Sequence, residues 1–238
     1  MRKIELDFGE SQKYFIDEAY KTLRANIQFC GTDVKAIAIT SCHPNEGKST
    51  VAIEVARSLA EAGKKVLLID ADMRKSVLVK KYASSTGICG LSQYLSGQNS
   101  WEDVLYATQQ ENFHIVFSGQ FPANPVELLG SSAFANMIEE QKKVYDYVIV
   151  DTPPLGIVID CAVIANVCDS AIMVISAEKV SVRRATIVKN QLCKSGVHIL
   201  GVVLNKVRHG RMRYPKPYGP AEGYSKYGHA YAENEETK

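Results

Sequence analysis

The chain has no long hydrophobic run and no closely spaced cysteine pair. No stretch approaches the roughly 18 consecutive apolar residues that a membrane helix needs, and the opening segment MRKIELDFGES has no apolar signal-peptide core. We therefore expect a cytoplasmic protein. Its six cysteines are scattered without a C-x-x-C pair, which favours neither a zinc site nor a disulfide framework. We expect them to be reduced and mostly buried, with Cys42 as a candidate reactive thiol.

A strong charge of either sign is also missing. The formal net charge is +2, with 46% hydrophobic and 23% charged residues among 238, a composition typical of a globular protein. This balance does not favour nucleic-acid binding over the whole surface. A basic cluster appears only late, at Arg208, Arg211, Arg213 and Lys216.

Short runs rich in Val and Ile alternate with segments of helical period, which is typical of βαβ units and a mostly parallel sheet. Strands are predicted at 34–41, 64–70, 113–119, 147–151, 170–177 and 198–206. Helices are predicted at 14–29, 48–63 and 181–196, the last two ended by glycines. The fold class predicted is therefore α/β, with helices on both faces of the sheet.

The same pattern divides the chain into three parts. Residues 1–33 hold one amphipathic helix before the alternation begins, and residues 34–207 carry the α/β domain. Residues 208–238 are dominated by Gly, Pro, Tyr and charge, so we expect a disordered tail that cannot bury enough apolar surface to offset its ordering entropy.

The segment HPNEGKST, residues 43–50, lies between a predicted strand and a predicted helix, as a phosphate-binding loop does. Gly47 permits a close backbone approach, Lys48 reaches terminal phosphates, and the Ser49 hydroxyl is placed to meet Mg²⁺. The usual first glycine is absent, and Cys42 stands in its place.

Three carboxylates are predicted at the same edge of the sheet. Asp70 and Asp72 end the second strand in LLIDADMRK, and Asp151 ends the fourth in VIVDTPP. Open α/β folds bind ligands at the carboxyl ends of their strands. Carboxylate oxygens are good Mg²⁺ ligands, and one spare carboxylate can accept a proton. Together with Lys48 the group predicts a magnesium–nucleotide site.

The loop, LLIDADMR and VIVDTPP resemble the Walker A, A′ and B motifs of the bacterial protein-tyrosine kinases, the BY-kinase family of capsule and exopolysaccharide operons. The resemblance extends over nearly the whole chain, through EAYKTLRANIQF, SGQFPANPVELLGS and GVVLNK. In that family the loop's first glycine is commonly absent. The resemblance implies a P-loop NTPase-like fold that transfers phosphate from ATP, with Mg²⁺, to tyrosine.

The resemblance also implies roles for individual residues. ATP contacts are expected at Asn45, Glu46, Gly47, Lys48, Ser49, Thr50 and Asn205, and metal contacts at Ser49, Asp70 and Asp151. Catalysis is expected at Lys48, Asp70 and Asp72, with Asp70 as the candidate to accept or orient the tyrosine proton, although the choice between the aspartates stays open. A simple turn residue is the alternative for Asn205. Glu18, Lys21 and Arg24 occupy oligomerisation positions of the family helix, with a solvated charged stripe as the alternative.

Five of the twelve tyrosines fall in the last 25 residues, where no core needs them: Tyr214, Tyr218, Tyr224, Tyr227 and Tyr231. Stacking on single-stranded RNA or lying at a membrane surface are alternative uses of such a tail. The resemblance favours a tyrosine cluster that one subunit phosphorylates on its neighbour.

The resemblance implies further partners: a membrane activator or chain-length regulator protein, a cognate phosphotyrosine phosphatase and other copies of the chain, in a ring or another homo-oligomer, but no nucleic acid. It places the chain in the cytoplasm, recruited to the inner face of the membrane. The alternative function is a partition- or septum-positioning-like switch ATPase. His43 in place of that class's signature lysine, and the tyrosine tail, favour the kinase. A metal-cluster carrier would need a close cysteine pair.

Overall fold

The computed structural model describes residues 2–7, 13–83 and 87–207, without the side chains of residues 13–15. The five tail tyrosines and the late basic cluster therefore lie outside the described residues, and the three-part division of the chain stays a prediction. Within the described ranges, no helix is both long and apolar enough to cross a membrane.

One sheet organises the described part of the chain. Its strands are β1 (Arg2–Lys3), β2 (Ala36–Ser41), β3 (Val66–Asp70), β4 (Tyr106–Ala107), β5 (Phe113–Val116), β6 (Tyr147–Asp151), β7 (Ser170–Ser176) and β8 (His198–Asn205). Their order across the sheet is β1-β4-β5-β3-β6-β2-β7-β8, and only β4 and β5 pair antiparallel. The predicted mostly parallel sheet is confirmed.

Helices connect and cover these strands. They are α1 (Lys13–Phe29), α2 (Lys48–Glu61), α3 (Leu78–Tyr82), α4 (Leu91–Leu95), α5 (Trp101–Val104), α6 (Pro125–Leu129), α7 (Ser132–Val144), α8 (Asp160–Ala165) and α9 (Val182–Cys193). The sequence predicts α1, α2 and α9, whereas the six short or intermediate helices between them were not predicted.

The three central strands β2, β3 and β6 are buried at every position, which explains their unbroken apolar runs. Successive side chains point to opposite faces. Leu68 of β3 packs in a cluster with Leu59 of α2, whereas Leu67 packs in another cluster with Phe134 of α7. Two apolar layers thus fix the sheet, and its carboxyl edge holds the ends of β2, β3 and β6 together.

Helix α1 packs beside this core through only part of the apolar face that the sequence predicts at Phe15, Ala19, Leu23 and Ile27. Ile27 is buried, and Tyr20 and Leu23 are half-buried against the cluster that contains α2. Ala19, which the predicted apolar face included, is exposed. The helix therefore turns Tyr20 towards the core, because an aromatic ring buries more apolar area than a methyl group.

Candidate active site

In the loop between β2 and α2, a glutamate side chain binds the backbone at the start of the same loop. Glu46 is buried, and its Oε2 accepts hydrogen bonds from the backbone N–H groups of Cys42 (2.7 Å) and His43 (3.0 Å). Asn45 and Gly47 have φ values of 62° and 96°, in the left-handed region. The carboxylate of Glu46 thus holds together a loop that lacks the usual first glycine. Its contact with ATP stays a prediction.

Lys48, the first residue of α2, lies among the predicted carboxylates. Its Nζ is 3.1 Å from Asp72 Oδ2, 3.6 Å from Asp151 Oδ1 and 3.1 Å from Ser49 Oγ. Burial alone would lower the pKa of Lys48, but the charges of Asp151, Asp72 and Asp70 outweigh it and raise that pKa. A permanently charged ammonium is what neutralising phosphate oxygens requires.

Asp70 is fully buried at the end of β3. Its Oδ1 accepts a hydrogen bond from the Asp72 N–H (3.2 Å), and its Oδ2 accepts a short one from the Ser76 hydroxyl. Burial, and then the charge of Asp151, raise the pKa of Asp70 to about 7. Asp70 and Asp151 face each other in the β3–β6 register, which brings the two carboxylates together as predicted.

Asp151 is the carboxylate best suited to a metal ion. Both of its oxygens are buried and lack a hydrogen-bond partner among the described residues, although Oδ1 has the charge of Lys48 nearby. Burial raises the pKa of Asp151. This buried carboxylate and the neighbouring Ser49 hydroxyl offer the oxygen ligands that Mg²⁺ prefers. Both oxygens of Asp70 are already occupied by hydrogen bonds, so Asp70 fits this role less well.

The described residues contain no group of three or more His, Cys, Asp or Glu side chains arranged to hold a metal ion alone. Magnesium usually binds through one or two carboxylates, and takes its other ligands from substrate phosphates and water. The residues present therefore fit Mg²⁺ as a companion of a bound nucleotide.

A cavity of about 720 Å³ opens over these groups. This volume is within the ordinary range for small-molecule sites. Gly47, Lys48, Ser49 and Asp72 line one part of it, and apolar side chains including Val77 and Ile157 line another. Asn45, Thr50 and Asn205 also border the cavity, so every predicted ATP-contact residue except Glu46 is brought together around one space.

An ion pair between a partly exposed arginine and a buried aspartate supports the cavity wall, and the sequence does not predict it. Arg74, which borders the cavity, donates from Nε to Asp160 Oδ2 (2.7 Å) and from Nη2 to Asp160 Oδ1 (3.0 Å). Asp160 has no exposed surface. The motif LLIDADMR drew attention to this stretch, but nothing near Asp160 in the sequence points to a partner 86 positions earlier.

The predicted oligomerisation residues lie on α1, apart from the cavity lining. Glu18 and Lys21 form an exposed ion pair with Oε1 and Nζ 2.7 Å apart. Arg24 instead donates from Nη1 to the Ser58 carbonyl of α2 in the same chain (2.7 Å). The structure therefore gives Arg24 an intramolecular role, and subunit contacts by these residues stay a prediction.

The expectations for the cysteines were partly wrong. Only Cys42 and Cys161 are buried, while Cys30 and Cys193 are exposed and the other two are intermediate. Burial raises the pKa of Cys42 to about 11, so its thiol stays protonated at neutral pH and is not activated as a nucleophile.

Known proteins share both the sequence and the fold. A family model described as an AAA domain matches residues 34–194. The chain is 43% identical over 198 residues to the tyrosine-protein kinase CpsD of Streptococcus agalactiae serotype III, covering 83% of this chain and 85% of that protein.

Solved structures agree with this relationship. The kinase domain of the Escherichia coli tyrosine kinase ETK superposes with a TM-score of 0.76 at 31% identity, over 86% of this chain and 80% of that one. The septum site-determining protein MinD of Pyrococcus horikoshii, complexed with Mg-ADP, follows with a TM-score of 0.62 at 28% identity, over 76% and 72% of the two chains. A nucleotide-binding P-loop fold is common to this group. The chain belongs to the family of bacterial protein-tyrosine kinases.

Proposed function

We propose that the chain transfers the γ-phosphate of ATP, with Mg²⁺, to tyrosines 214–231 of a neighbouring copy, and thereby regulates capsule or exopolysaccharide synthesis. The observation that carries this proposal is Lys48, held between Asp72 and Asp151 at a phosphate-type loop that borders a cavity of nucleotide size. The family assignment supplies the tyrosine as acceptor.

The loop and the start of α2 would bind the phosphates. Backbone N–H groups from Asn45 to Thr50 and the N-terminus of this 14-residue helix favour an anion at Lys48. Lys48 would exchange its contacts with Asp72 and Asp151 for phosphate oxygens and neutralise the charge that develops during transfer.

Ser49 and Asp151 would hold Mg²⁺, which supplies charge neutralisation and alignment of the phosphates when it is bound. The support for this assignment is that Lys48 Nζ lies 3.6 Å from the buried Asp151 Oδ1 and 3.1 Å from Ser49 Oγ, which places both oxygens around one point. Asp70 was also predicted as a ligand, and its two accepted hydrogen bonds would have to be given up for that role.

Two aspartates compete to accept or orient the tyrosine proton. Asp72 borders the cavity and is the carboxylate that an entering hydroxyl would meet. Asp70 is buried behind it, but its pKa of about 7 lies near the operating pH, as suits a general base. If Asp70 is the base, the rate of transfer should rise with pH around 7, as the Asp70 carboxyl group loses its proton. Asp70→Asn should then remove this rise. If Asp72 is the base, Asp72→Asn removes transfer, while Asp70→Asn leaves the pH dependence of the transfer rate as it is in the wild type.

The proposal includes partners that follow from the family. The chain would act in the cytoplasm as a homo-oligomer, recruited to the membrane by an activator or chain-length regulator and reset by a phosphotyrosine phosphatase. The acceptor tyrosines lie outside the described residues, so their support is the sequence: five tyrosines within 25 residues.

The direct test maps phosphotyrosine by mass spectrometry after incubation of the chain with ATP, Mg²⁺ and a candidate membrane activator. We expect phosphate on tyrosines between 214 and 231, and none in Lys48→Met. Lys189→Met is the matched control, because Lys189 is an exposed lysine of α9 that does not border the cavity. Release of free phosphate with an unmodified tail would favour the switch ATPase instead.

A further inference from the structure

The end of strand β8 is fastened to the phosphate loop. Asn205 donates from Nδ2 to the carbonyl of Glu46 (2.9 Å), and Lys206 donates from Nζ to the carbonyl of Asn45 (2.5 Å). We call these two residues the loop latch. Two consecutive carbonyls of the loop are thus held by side chains that stand about 160 positions later in the sequence.

Holding a carbonyl also fixes the next N–H group. Because a trans peptide is planar, the C=O of one residue and the N–H of the following residue point in opposite directions. The Glu46 carbonyl on Asn205 therefore sets the direction of the Gly47 N–H, and the Asn45 carbonyl on Lys206 sets that of the Glu46 N–H. Such backbone N–H groups are the phosphate ligands of this kind of loop.

The loop needs this support because its backbone is unusual. Asn45 and Lys206 both have positive φ values, 62° and 57°, which cost energy in residues other than glycine. A Cβ atom at Gly47 would lie 2.1 Å from Asn205 Nδ2, so only glycine allows the loop to approach the latch this closely.

The latch itself stands on a rigid element. Asn205 is in register with Ser176 at the end of the long β7–β8 pairing, and its carbonyl accepts a hydrogen bond from Ala177 N–H (2.8 Å). Its Oδ1 accepts one from Lys206 N–H (2.8 Å). Both ends of the Asn205 amide are therefore engaged by backbone groups, which fixes the direction in which its Nδ2 meets the loop.

We propose that Asn205 and Lys206 are positioning residues that set the phosphate-binding conformation of the loop. The inference rests on the nucleotide binding in the proposed function but not on phosphoryl transfer. It distinguishes two uses of Asn205 by what each would recognise. A base contact acts only on nucleotides that carry adenine, whereas a loop support acts on every ligand that carries the phosphates.

The test measures the dissociation constants of ATP, GTP and inorganic tripolyphosphate, each with Mg²⁺, by calorimetry on the full chain. Lys206→Met and Asn205→Ala should each weaken all three ligands by a similar factor, about fivefold for the loss of one hydrogen bond. Lys206→Arg, which keeps a donor, should restore most of the affinity, and Lys189→Met should change nothing.

Two results would overturn the inference. Asn205→Ala that weakens ATP but leaves GTP and tripolyphosphate unchanged would make Asn205 an adenine contact. Wild-type affinities in both Asn205→Ala and Lys206→Met would show that the latch does not support the loop. Thermal midpoints check the fold of each variant, and Lys206 is an exposed residue whose replacement leaves the core intact. If the wild-type chain binds these ligands but does not phosphorylate tyrosine, only the proposed function is overturned.

Discussion

At the scale of single residues, the site concentrates charge where water is largely excluded. Asp70, Asp72 and Asp151 surround one ammonium, that of Lys48, and all four are buried. Burial disfavours three ionised carboxylates around a single positive charge. Between about pH 4 and pH 7 the Asp70 carboxyl group therefore keeps a proton in the folded chain that it would release in the unfolded chain. A bound cation would offset this excess of negative charge, as the proposed function requires.

The first prediction concerns the stability of the nucleotide-free protein. The pKa of Asp70 is about 7 in the folded state, against about 3.9 for an unperturbed aspartate. Between about pH 4 and pH 7 the folded chain therefore binds more protons than the unfolded chain, and the free energy of unfolding contributed by Asp70 falls as pH rises. Asp70→Asn should flatten this fall and stabilise the protein by about 2 kcal/mol at pH 8.

Urea unfolding from pH 4 to pH 8 measures this effect, with the exposed Glu111→Gln as the control. An unchanged pH slope in Asp70→Asn would show that Asp70 ionises normally in the folded chain.

The sequence predicted which residues meet in the site but not how they are held. Lys48, Asp70 and Asp151 could be brought together in advance because the carboxyl ends of parallel strands share one edge. The loop latch could not be predicted. Asn205 and Lys206 are distant from the loop in the sequence, and they bind its backbone carbonyls, which every residue type has. The contact of Glu46 with two N–H groups is local, yet a glutamate at that position has no motif of its own.

At the scale of secondary-structure elements, all six predicted strands are present, within about two or three residues at either end. Strands β1 and β4, of two residues each, were missed because they are defined by pairing at the sheet edge and are too short for any alternation. The short helices α3 to α6 and α8 have four to six residues, less than two helical turns, so their periodicity carries no signal.

The second prediction concerns the ion pair that ties the stretch after β3 to the start of α8. Arg74→Ala leaves the fully buried Asp160 carboxylate without its partner and should lower the free energy of unfolding by about 2 kcal/mol, less than for a wholly buried pair because the Arg74 side chain is 40% exposed. The double variant Arg74→Ala with Asp160→Asn should cost less than the sum of the singles.

Chemical denaturation of the three variants completes this cycle. Lys143→Ala removes a fully exposed ion pair with Glu140 and serves as a control that should not shift the midpoint. Strict additivity of the Arg74 and Asp160 variants would show that the pair is not coupled.

The third prediction concerns helix α1. Replacing both Glu18 and Lys21 by alanine removes an exposed ion pair that contributes little within the chain. If the pair serves subunit contacts, the oligomer should dissociate and tail phosphorylation should fall several-fold, while ATP affinity stays unchanged. Light scattering measures the oligomeric state, and calorimetry measures the affinity for ATP. The exposed pair Glu140 and Lys143 of α7 gives the matched control. An unaltered oligomer would show that the Glu18–Lys21 pair does not serve subunit contacts.

At the scale of the whole molecule, an open parallel sheet places its chemistry at one edge. The loop follows β2, Asp70 ends β3 and Asp151 ends β6, and these strands are adjacent in the sheet order. The latch follows β8 and reaches the same loop. The fold thus assembles a donor site, whereas its proposed acceptor is a separate segment of the sequence. A phosphate donor and an acceptor that can be separated in this way should work as two different molecules.

The most direct test of this account mixes two variants of the chain, neither of which can phosphorylate a tail tyrosine alone. A chain ending before Tyr214 keeps Lys48 but has no acceptor cluster, and full-length Lys48→Met keeps the cluster but has no donor lysine. With ATP, Mg²⁺ and the activator, neither alone should form phosphotyrosine in the tail, whereas the mixture should phosphorylate tyrosines 214–231 of the Lys48→Met chain. A truncated chain that binds ATP but leaves the tail of its full-length partner unmodified would contradict transfer between copies.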